Sequence, residues 1–94
     1  MRIIAKRRLM DLATRYGDCL AQVTVWFNIA SKANWRTLED VRLSFRHADS
    51  VDDKTVFNIK GNDYRLIVVI LYEEGIIYIR YFLKHAEYDR STWK

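Results

Sequence analysis

The chain has 94 residues, of which 50% are hydrophobic and 14% aromatic, so we expect one small folded domain over residues 1–94 rather than a disordered segment. Its net charge of +4 and its pI of about 9.4 favour an anionic partner. Cys19 is the only cysteine, which excludes an intrachain disulfide and favours a reducing compartment. The longest apolar run, residues 66–72, is too short to cross a bilayer. A cytoplasmic protein with no membrane partner is expected.

The positive charge is concentrated in the first half of the chain. Residues 1–46 carry nine Lys and Arg against four Asp and Glu, a net +5, whereas residues 47–94 carry seven against eight, a net −1. The surplus centres on residues 6–8 and 36–46. We therefore expect the first half to supply most of the electrostatic attraction to an anion.

The first third of the chain predicts a strand and two helices. Residues 2–5 form a short apolar run that fits an opening strand. Over residues 6–16, apolar side chains recur three and four positions apart, and the pattern stops at Gly17, which predicts an amphipathic helix. Asp18 is expected to cap a second helix over residues 19–32. The two helices would form a hairpin with an apolar side for a sheet.

The middle of the chain carries the weakest pattern. Trp35 and residues 38–45 are compatible with a short helix, and residues 46–54 are polar and predict a loop. Two of the aromatic side chains here, Trp35 and Phe45, are assigned to the core with Trp26, rather than to base stacking. Cys19 is likewise assigned a buried structural role.

The last third predicts an antiparallel meander. Strands are expected over residues 56–59, 64–72 and 76–83, joined by turns at residues 60–63 and 73–75. The chain contains no proline, so nothing interrupts these strands. Helices on one face of a twisted, mostly antiparallel sheet make the fold class α+β.

A cluster of proton-exchanging and cationic side chains closes the last strand. It comprises Arg80, Lys84, His85, Tyr88 and Asp89. Fixed cations beside a histidine suit chemistry on a phosphodiester. No zinc-type spacing involves either histidine, and no glycine-rich phosphate loop is present, so neither a metal nor a cofactor is predicted.

Arg65 is predicted to lie next to this cluster. In a hairpin that turns at residues 73–75, residues whose numbers sum to about 148 face each other, so Arg65 lies opposite Leu83 and Arg80 opposite Val68. A buried arginine must be paired or face a polar cleft. A structural salt bridge of Arg65 with Glu87 or Asp89 is the alternative.

Other side chains keep open interpretations. His85 is compatible with a surface or capping role, and Tyr88 with a plug in the core. Lys54 and Lys60 flank the first strand of the meander and are candidates for phosphate contacts, although their positions favour a solvated role for each.

Two elements of the second half together resemble a known family. They are Val56-Phe-Asn-Ile-Lys-Gly-Asn-Asp-Tyr-Arg65 with the strand after it, and Ile77-Tyr-Ile-Arg-Tyr-Phe-Leu-Lys-His-Ala-Glu-Tyr-Asp89. In this order they resemble the HigB-type toxins of bacterial toxin–antitoxin modules, which belong to the RelE-like ribonucleases. The resemblance extends over essentially the whole chain and implies a sheet with helices on one face.

The resemblance also implies an activity. Members of this family cut mRNA, typically in the ribosomal A site. The 2′-hydroxyl of the substrate attacks the adjacent phosphate, and no metal is needed. In this chain, His85, Lys84 and Tyr88 would share the proton transfers, and Arg65 and Arg80 would stabilise the phosphorane charge. Which group is the acid and which the base stays open.

The resemblance further implies substrate contacts and partners. Asn62, Lys54 and Lys60 would contact the message, and Arg36 and Arg46 belong to the basic half that would bind ribosomal RNA. A HigA-like helix-turn-helix antitoxin would neutralise the toxin, and operator DNA would be met only through that complex. A non-catalytic module that binds RNA or the ribosome is the alternative, and a purely structural interaction domain is a third interpretation.

Overall fold

A five-stranded sheet organises the computed structural model, which describes residues 1–61, 63–90 and 93. The elements follow in the order β1 (Arg2–Ile4), α1 (Lys6–Tyr16), α2 (Leu20–Lys32), α3 (Leu38–Ser44), β2 (Asp49–Val51), β3 (Lys54–Ile59), β4 (Tyr64–Leu71), β5 (Ile76–Lys84) and α4 (His85–Asp89). The strand order is β1-β5-β4-β3-β2. β1 runs parallel to β5, and the other neighbours are antiparallel. The predicted α+β class is confirmed.

Helices α1 and α2 cover one face of the sheet. Gly17, with a φ of +76°, ends α1, as predicted from the sequence. The helices bury an apolar stripe that includes Leu9, Ala13, Val23, Trp26 and Ala30, and these side chains share one cluster with alternate residues of the strands. Every second residue of these strands contributes to the core, because the pleat directs successive side chains to opposite faces of the sheet.

An aromatic cluster forms the centre of this core. The ring of Phe57 lies 5.3 Å from that of Trp26, 5.2 Å from that of Phe45 and 6.2 Å from that of Trp35. The prediction that these rings serve the core is confirmed. Cys19 is fully buried, and burial raises the pKa of its thiol, so its predicted structural role fits its surroundings.

The opposite face of the sheet, called the open face below, carries a smaller apolar cluster. Val56, Ile67 and Trp93 form its buried centre, and Tyr81 and Tyr88 pack against them. The open face therefore combines apolar side chains with the polar side chains that alternate with those of the core.

A β-bulge divides β5 into two segments. Arg65 pairs with Leu83, as predicted, but Val68 pairs with Ile79 and Ile67 with Tyr81, so Arg80 has no partner in the ladder. The predicted pairing of Arg80 with Val68 is therefore wrong. The extra residue changes the pairing sum from 148 to 147, and a sum rule cannot anticipate such an insertion.

Two further predictions are corrected. The predicted loop at residues 46–54 contains β2, a short edge strand whose exposed polar side chains conceal its period. α2 begins at Leu20, with Cys19 at the N-cap, and no side chain caps it. Asp18 does not cap this helix, because its carboxylate instead accepts hydrogen bonds from Lys60 and Tyr64. No helix among the described residues has the length and apolar character that a membrane crossing requires.

Replacement of Phe57 by Ala tests the aromatic cluster. Its ring is 1% exposed, so we expect the free energy of unfolding to fall by about 3–5 kcal/mol through lost burial and a cavity. Leu43→Ala is the matched control, because Leu43 is 89% exposed and its loss should change stability by less than about 0.5 kcal/mol. Urea denaturation measures both, and similar effects of the two substitutions would contradict the packing described.

Candidate active site

The candidate site lies where the start of β4 meets the end of β5 and α4. The antiparallel register sets Arg65, the second residue of β4, opposite Leu83 and, on the other side, opposite Asn58 of β3. Its side chain is on the open face, since its neighbours Tyr64 and Leu66 belong to the core beneath the helices.

Arg65 is a buried cation held by polar and aromatic groups. The residue is 8% exposed. Its Nη2 lies 3.1 Å from Nδ1 of His85, and its Nη1 donates to the Tyr64 carbonyl at 3.2 Å. The guanidinium carbon lies 5.5 Å from the centre of the Tyr88 ring, within the range of a cation–π interaction. These contacts offset part of the cost of removing the charge from water.

His85 joins Arg65 to a carboxylate. An arginine can only donate, so Nδ1 of His85 accepts from Arg65. The neutral ring then carries its proton on Nε2, which lies 3.3 Å from Oδ2 of Asp89, one helical turn later. The His85 main-chain N–H donates to the carbonyl of Asp63 at 3.0 Å. Because the side chain is 52% exposed, it can exchange protons with a bound molecule.

Lys84 borders a cleft beside His85 and lies on the side of the sheet that the helices cover. Its Nζ lies 5.4 Å from the centre of the Tyr16 ring, so the side chain leaves the sheet on the face opposite Arg65. The cleft has a volume of about 420 Å³ and is lined by Asp63, Tyr64, Lys84, His85 and Ala86. Lys84 and His85 therefore approach this cleft from opposite faces of the sheet end.

Tyr88 combines the two roles that the sequence left open. Its ring stacks on Trp93 with 5.1 Å between centres, and Trp93 Nε1 donates to the Tyr88 carbonyl. The same ring lies beneath Arg65. Tyr88 thus packs in the apolar cluster of the open face and supports the guanidinium.

A carboxylate network lies behind the site, and sequence reasoning missed it. Asp18 Oδ1 accepts from the Tyr64 hydroxyl, and Asp18 Oδ2 accepts from Lys60 Nζ, both at 2.7 Å. These bonds lower the pKa of Asp18, raise that of Lys60 and, chiefly through the bond to Asp18, raise that of Tyr64 to about 12. A lone acid after Gly17 was the available signal, but it was interpreted as a helix cap.

Arg80 and Lys54 form a second basic group, away from His85. Lys54 Nζ lies 3.0 Å from Oδ1 of Asp53, and Lys54 with nearby Arg80 lowers the pKa of that carboxyl. Lys54 and Val56 alternate onto the open face. Arg80 is three residues from Leu83, or about 10 Å along an extended strand, so it is not in the Arg65–His85 group.

The remaining candidates are dispersed. Arg36 lines a cavity with Tyr72 and residues 73–75, at the end of the β4–β5 hairpin remote from His85. Arg46 is exposed just after α3. Asn62 lies outside the described residues. Their predicted substrate contacts stay predictions.

The chemistry available at the site is proton transfer beside a fixed positive charge. Arg65 supplies the charge, and His85 supplies a proton-transfer group held by Arg65 and Asp89. Among the described residues, no three His, Cys, Asp or Glu side chains come together as a metal site.

Residues 19–91 match the family model of the HigB toxins, which are RelE-like toxic components of toxin–antitoxin systems. The chain therefore belongs to the HigB toxin family. It is 28% identical to the mRNA interferase toxin HigB of Escherichia coli K12, over 98% of this chain and 91% of that protein. The mRNA interferase HigB of Shigella flexneri gives the same values. That of Escherichia coli O6:H1 is 24% identical over 98% of this chain and 92% of its own length.

These relatives confirm the family predicted from the two sequence elements. Their names also support, at the level of the family, the predicted assignment to the mRNA interferases. The match is nearly full length, so it includes β4 with Arg65, α4 with His85, and helices α1 and α2.

The Asp18 network predicts a characteristic loss of stability in acid. The pKa of Asp18 in the folded state is lower than its ordinary value of 3.8. Its contribution is therefore fully present above that value and is lost as the pH falls through the folded-state pKa. In urea denaturation, the free energy of unfolding of wild type should exceed that of Asp18→Asn by a constant amount near neutrality. This difference should shrink as the pH drops below about 4.

Tyr64→Phe is the companion variant for this prediction. It removes one of the two donors to Asp18 while keeping the ring packed between Tyr16 and Phe82. The free energy of unfolding of Tyr64→Phe should exceed that of Asp18→Asn by less than that of wild type does, and the difference should again depend on pH. Parallel curves for all three proteins down to about pH 2 would contradict the described hydrogen bonds.

Proposed function

We propose that this protein is the toxin of a type II toxin–antitoxin module and acts as a ribosome-dependent mRNA endoribonuclease. The observation that carries the proposal is the 3.1 Å contact between the Arg65 guanidinium and the His85 ring at the edge of an open cleft. The mRNA interferase relatives support the substrate class. The cytoplasm, where translated messages are found, is the proposed site of action.

The proposed reaction is a transesterification within the RNA. The 2′-oxygen attacks the adjacent phosphorus, the bond from phosphorus to the 5′-oxygen breaks, and a 2′,3′-cyclic phosphate and a 5′-hydroxyl result. One protein group takes the proton of the 2′-hydroxyl, and another returns a proton to the 5′-oxygen. Neither a metal nor a protein nucleophile takes part.

Arg65 and His85 have complementary roles in this reaction. The guanidinium stabilises the extra negative charge of the phosphorane, because a fixed cation in a poorly solvated place needs no reorganisation. Once the Arg65 guanidinium turns from Nδ1 of His85 to the phosphorane, Nδ1 can take up a proton, and the ring can then give its Nε2 proton to the 5′-oxygen in place of the exposed Asp89 carboxylate. Lys84 borders the same cleft and is the second candidate for proton transfer. Tyr88 is proposed to hold Arg65 in place.

Binding to the ribosome is proposed to depend on the basic surface. Exposed cations on α1, including Arg7, Arg8 and Arg15, are available to ribosomal RNA, with Arg36 and Arg46 beyond them. Lys54 and Arg80 extend the positive charge along the open face toward the message. A HigA-like helix-turn-helix antitoxin is the proposed neutralising partner, and operator DNA is bound through that complex.

Replacement of His85 by Ala tests the nuclease. Loss of one proton-transfer group should slow cleavage by about 10²–10⁴-fold, so induction of the variant should spare growth and produce few new 5′ ends in translated messages. His47→Ala is the matched control, since His47 is exposed and lies outside the cleft. Growth arrest by wild type without new 5′ ends would sink the nuclease proposal and favour the non-catalytic ribosome-binding module.

Replacement of Arg65 by Lys tests the need for the guanidinium. Lysine keeps the charge but lacks the planar fork that contacts both His85 and the Tyr64 carbonyl. We expect cleavage of ribosome-bound mRNA to fall by roughly 10²-fold, while binding to ribosomes changes little. Arg90→Lys, at an exposed position after α4, should cut normally. Equal activity of both variants would exclude a role for the Arg65 fork.

A further inference from the structure

Asp18 lies in the turn between α1 and α2, yet its side chain contacts residues that are far away in the sequence. Its two carboxylate oxygens bind residues 42 and 46 positions away, Lys60 and Tyr64, each at 2.7 Å. Those residues flank the turn that joins β3 to β4. One carboxylate therefore holds both sides of this turn against the helices.

The main chain where this turn meets β4 binds the two principal groups of the candidate site. The carbonyl of Asp63 accepts from the main-chain N–H of His85 at 3.0 Å. The carbonyl of the next residue, Tyr64, accepts from Nη1 of Arg65 at 3.2 Å. The position of these two carbonyls thus helps to set where the His85 ring and the Arg65 fork meet.

The turn itself has a conformation that needs external support. Lys60 has a φ of +52° and Gly61 of +64°, and the left-handed region is unfavourable for a lysine. Its Nζ bond to Asp18 and the bond from the Asp63 N–H to the Lys60 carbonyl, at 3.2 Å, stabilise this arrangement. Tyr64, whose ring packs between those of Tyr16 and Phe82, supplies the rigid side.

We infer that Asp18 is a positioning residue that fixes the Arg65–His85 pair through the turn between β3 and β4. It does not touch the cleft, whose lining consists of residues 63–64 and 84–86. The inference deepens the proposed nuclease function and rests on it for the catalytic consequence. Its structural part concerns the free protein and is tested without any RNA.

The first measurement is the state of the two histidine rings. The chain contains only His47 and His85, so ¹⁵N labelling of histidine gives two ring systems, of which His47 is the internal control. In wild type, the nitrogen resonances should report an unprotonated Nδ1 in neutral His85. In Asp18→Ala, the His85 resonances should move toward an averaged pair of tautomers while those of His47 stay in place.

The second measurement separates positioning from binding. Cleavage of mRNA on programmed ribosomes is followed at saturating and sub-saturating ribosome concentrations. Asp18→Ala should lower the rate at saturation by at least about tenfold, as expected when reacting groups lose their alignment, with little change in the half-saturating concentration. Asp11→Asn, which removes an exposed carboxylate from α1, should match wild type in both quantities.

Tyr64→Phe protects the test against a simple folding defect. It keeps the ring and removes only the hydroxyl that Asp18 binds, so it should reproduce part of the loss, and the double variant should lose less than the product of the two single effects. Unchanged His85 resonances in folded Asp18→Ala would overturn the inference. Absence of cleavage by wild type, with His85 resonances that do move, would overturn the nuclease proposal and leave the positioning role of Asp18 intact.

Discussion

The guanidinium of Arg65 is a buried charge near one end of the central strand of the sheet, and the surrounding structure provides its partners. At 8% exposure it has exchanged most of its water for the His85 ring, the Tyr64 carbonyl and the Tyr88 ring. Such a group costs several kcal/mol unless hydrogen bonds are formed. His85, the first residue of α4, is held beside Arg65 by its main-chain hydrogen bond to the carbonyl of Asp63.

The two faces of the sheet have separate tasks. Helices α1 and α2 bury one face in a continuous apolar core, and this leaves the other face to combine a small apolar cluster with cations. The faces communicate at one end of the sheet, through the Asp18 carboxylate and the turn that it binds. A rigid core can thus orient groups that remain open to a large polyanion.

Much of this arrangement could be predicted from the sequence, because it depends on local rules. Strand period and turn residues predicted the β4–β5 hairpin, and antiparallel pairing then set Arg65 opposite Leu83. β2 was missed because a strand of three residues, two of them polar, is too short to show a period. The partners of Asp18 were missed because they lie 42 and 46 residues away, and an acid after a glycine satisfies the local rule for a helix cap equally well. Tertiary contacts decided between two uses of one side chain.

The bulge in β5 has a consequence for which residues the fold itself requires. Regular pairing runs from Tyr64 to Ile67 on one side of it and from Val68 to Leu71 on the other, and Arg80 belongs to neither segment. If Arg80 were deleted, both segments would be able to join in one uninterrupted ladder, with Ile79 and Phe82 still directed into the core. The strand is therefore one residue longer than its hydrogen bonds demand. Arg80 adds a local bend in the strand and a positive charge on the surface. We attribute its presence to that surface and not to a requirement of the fold.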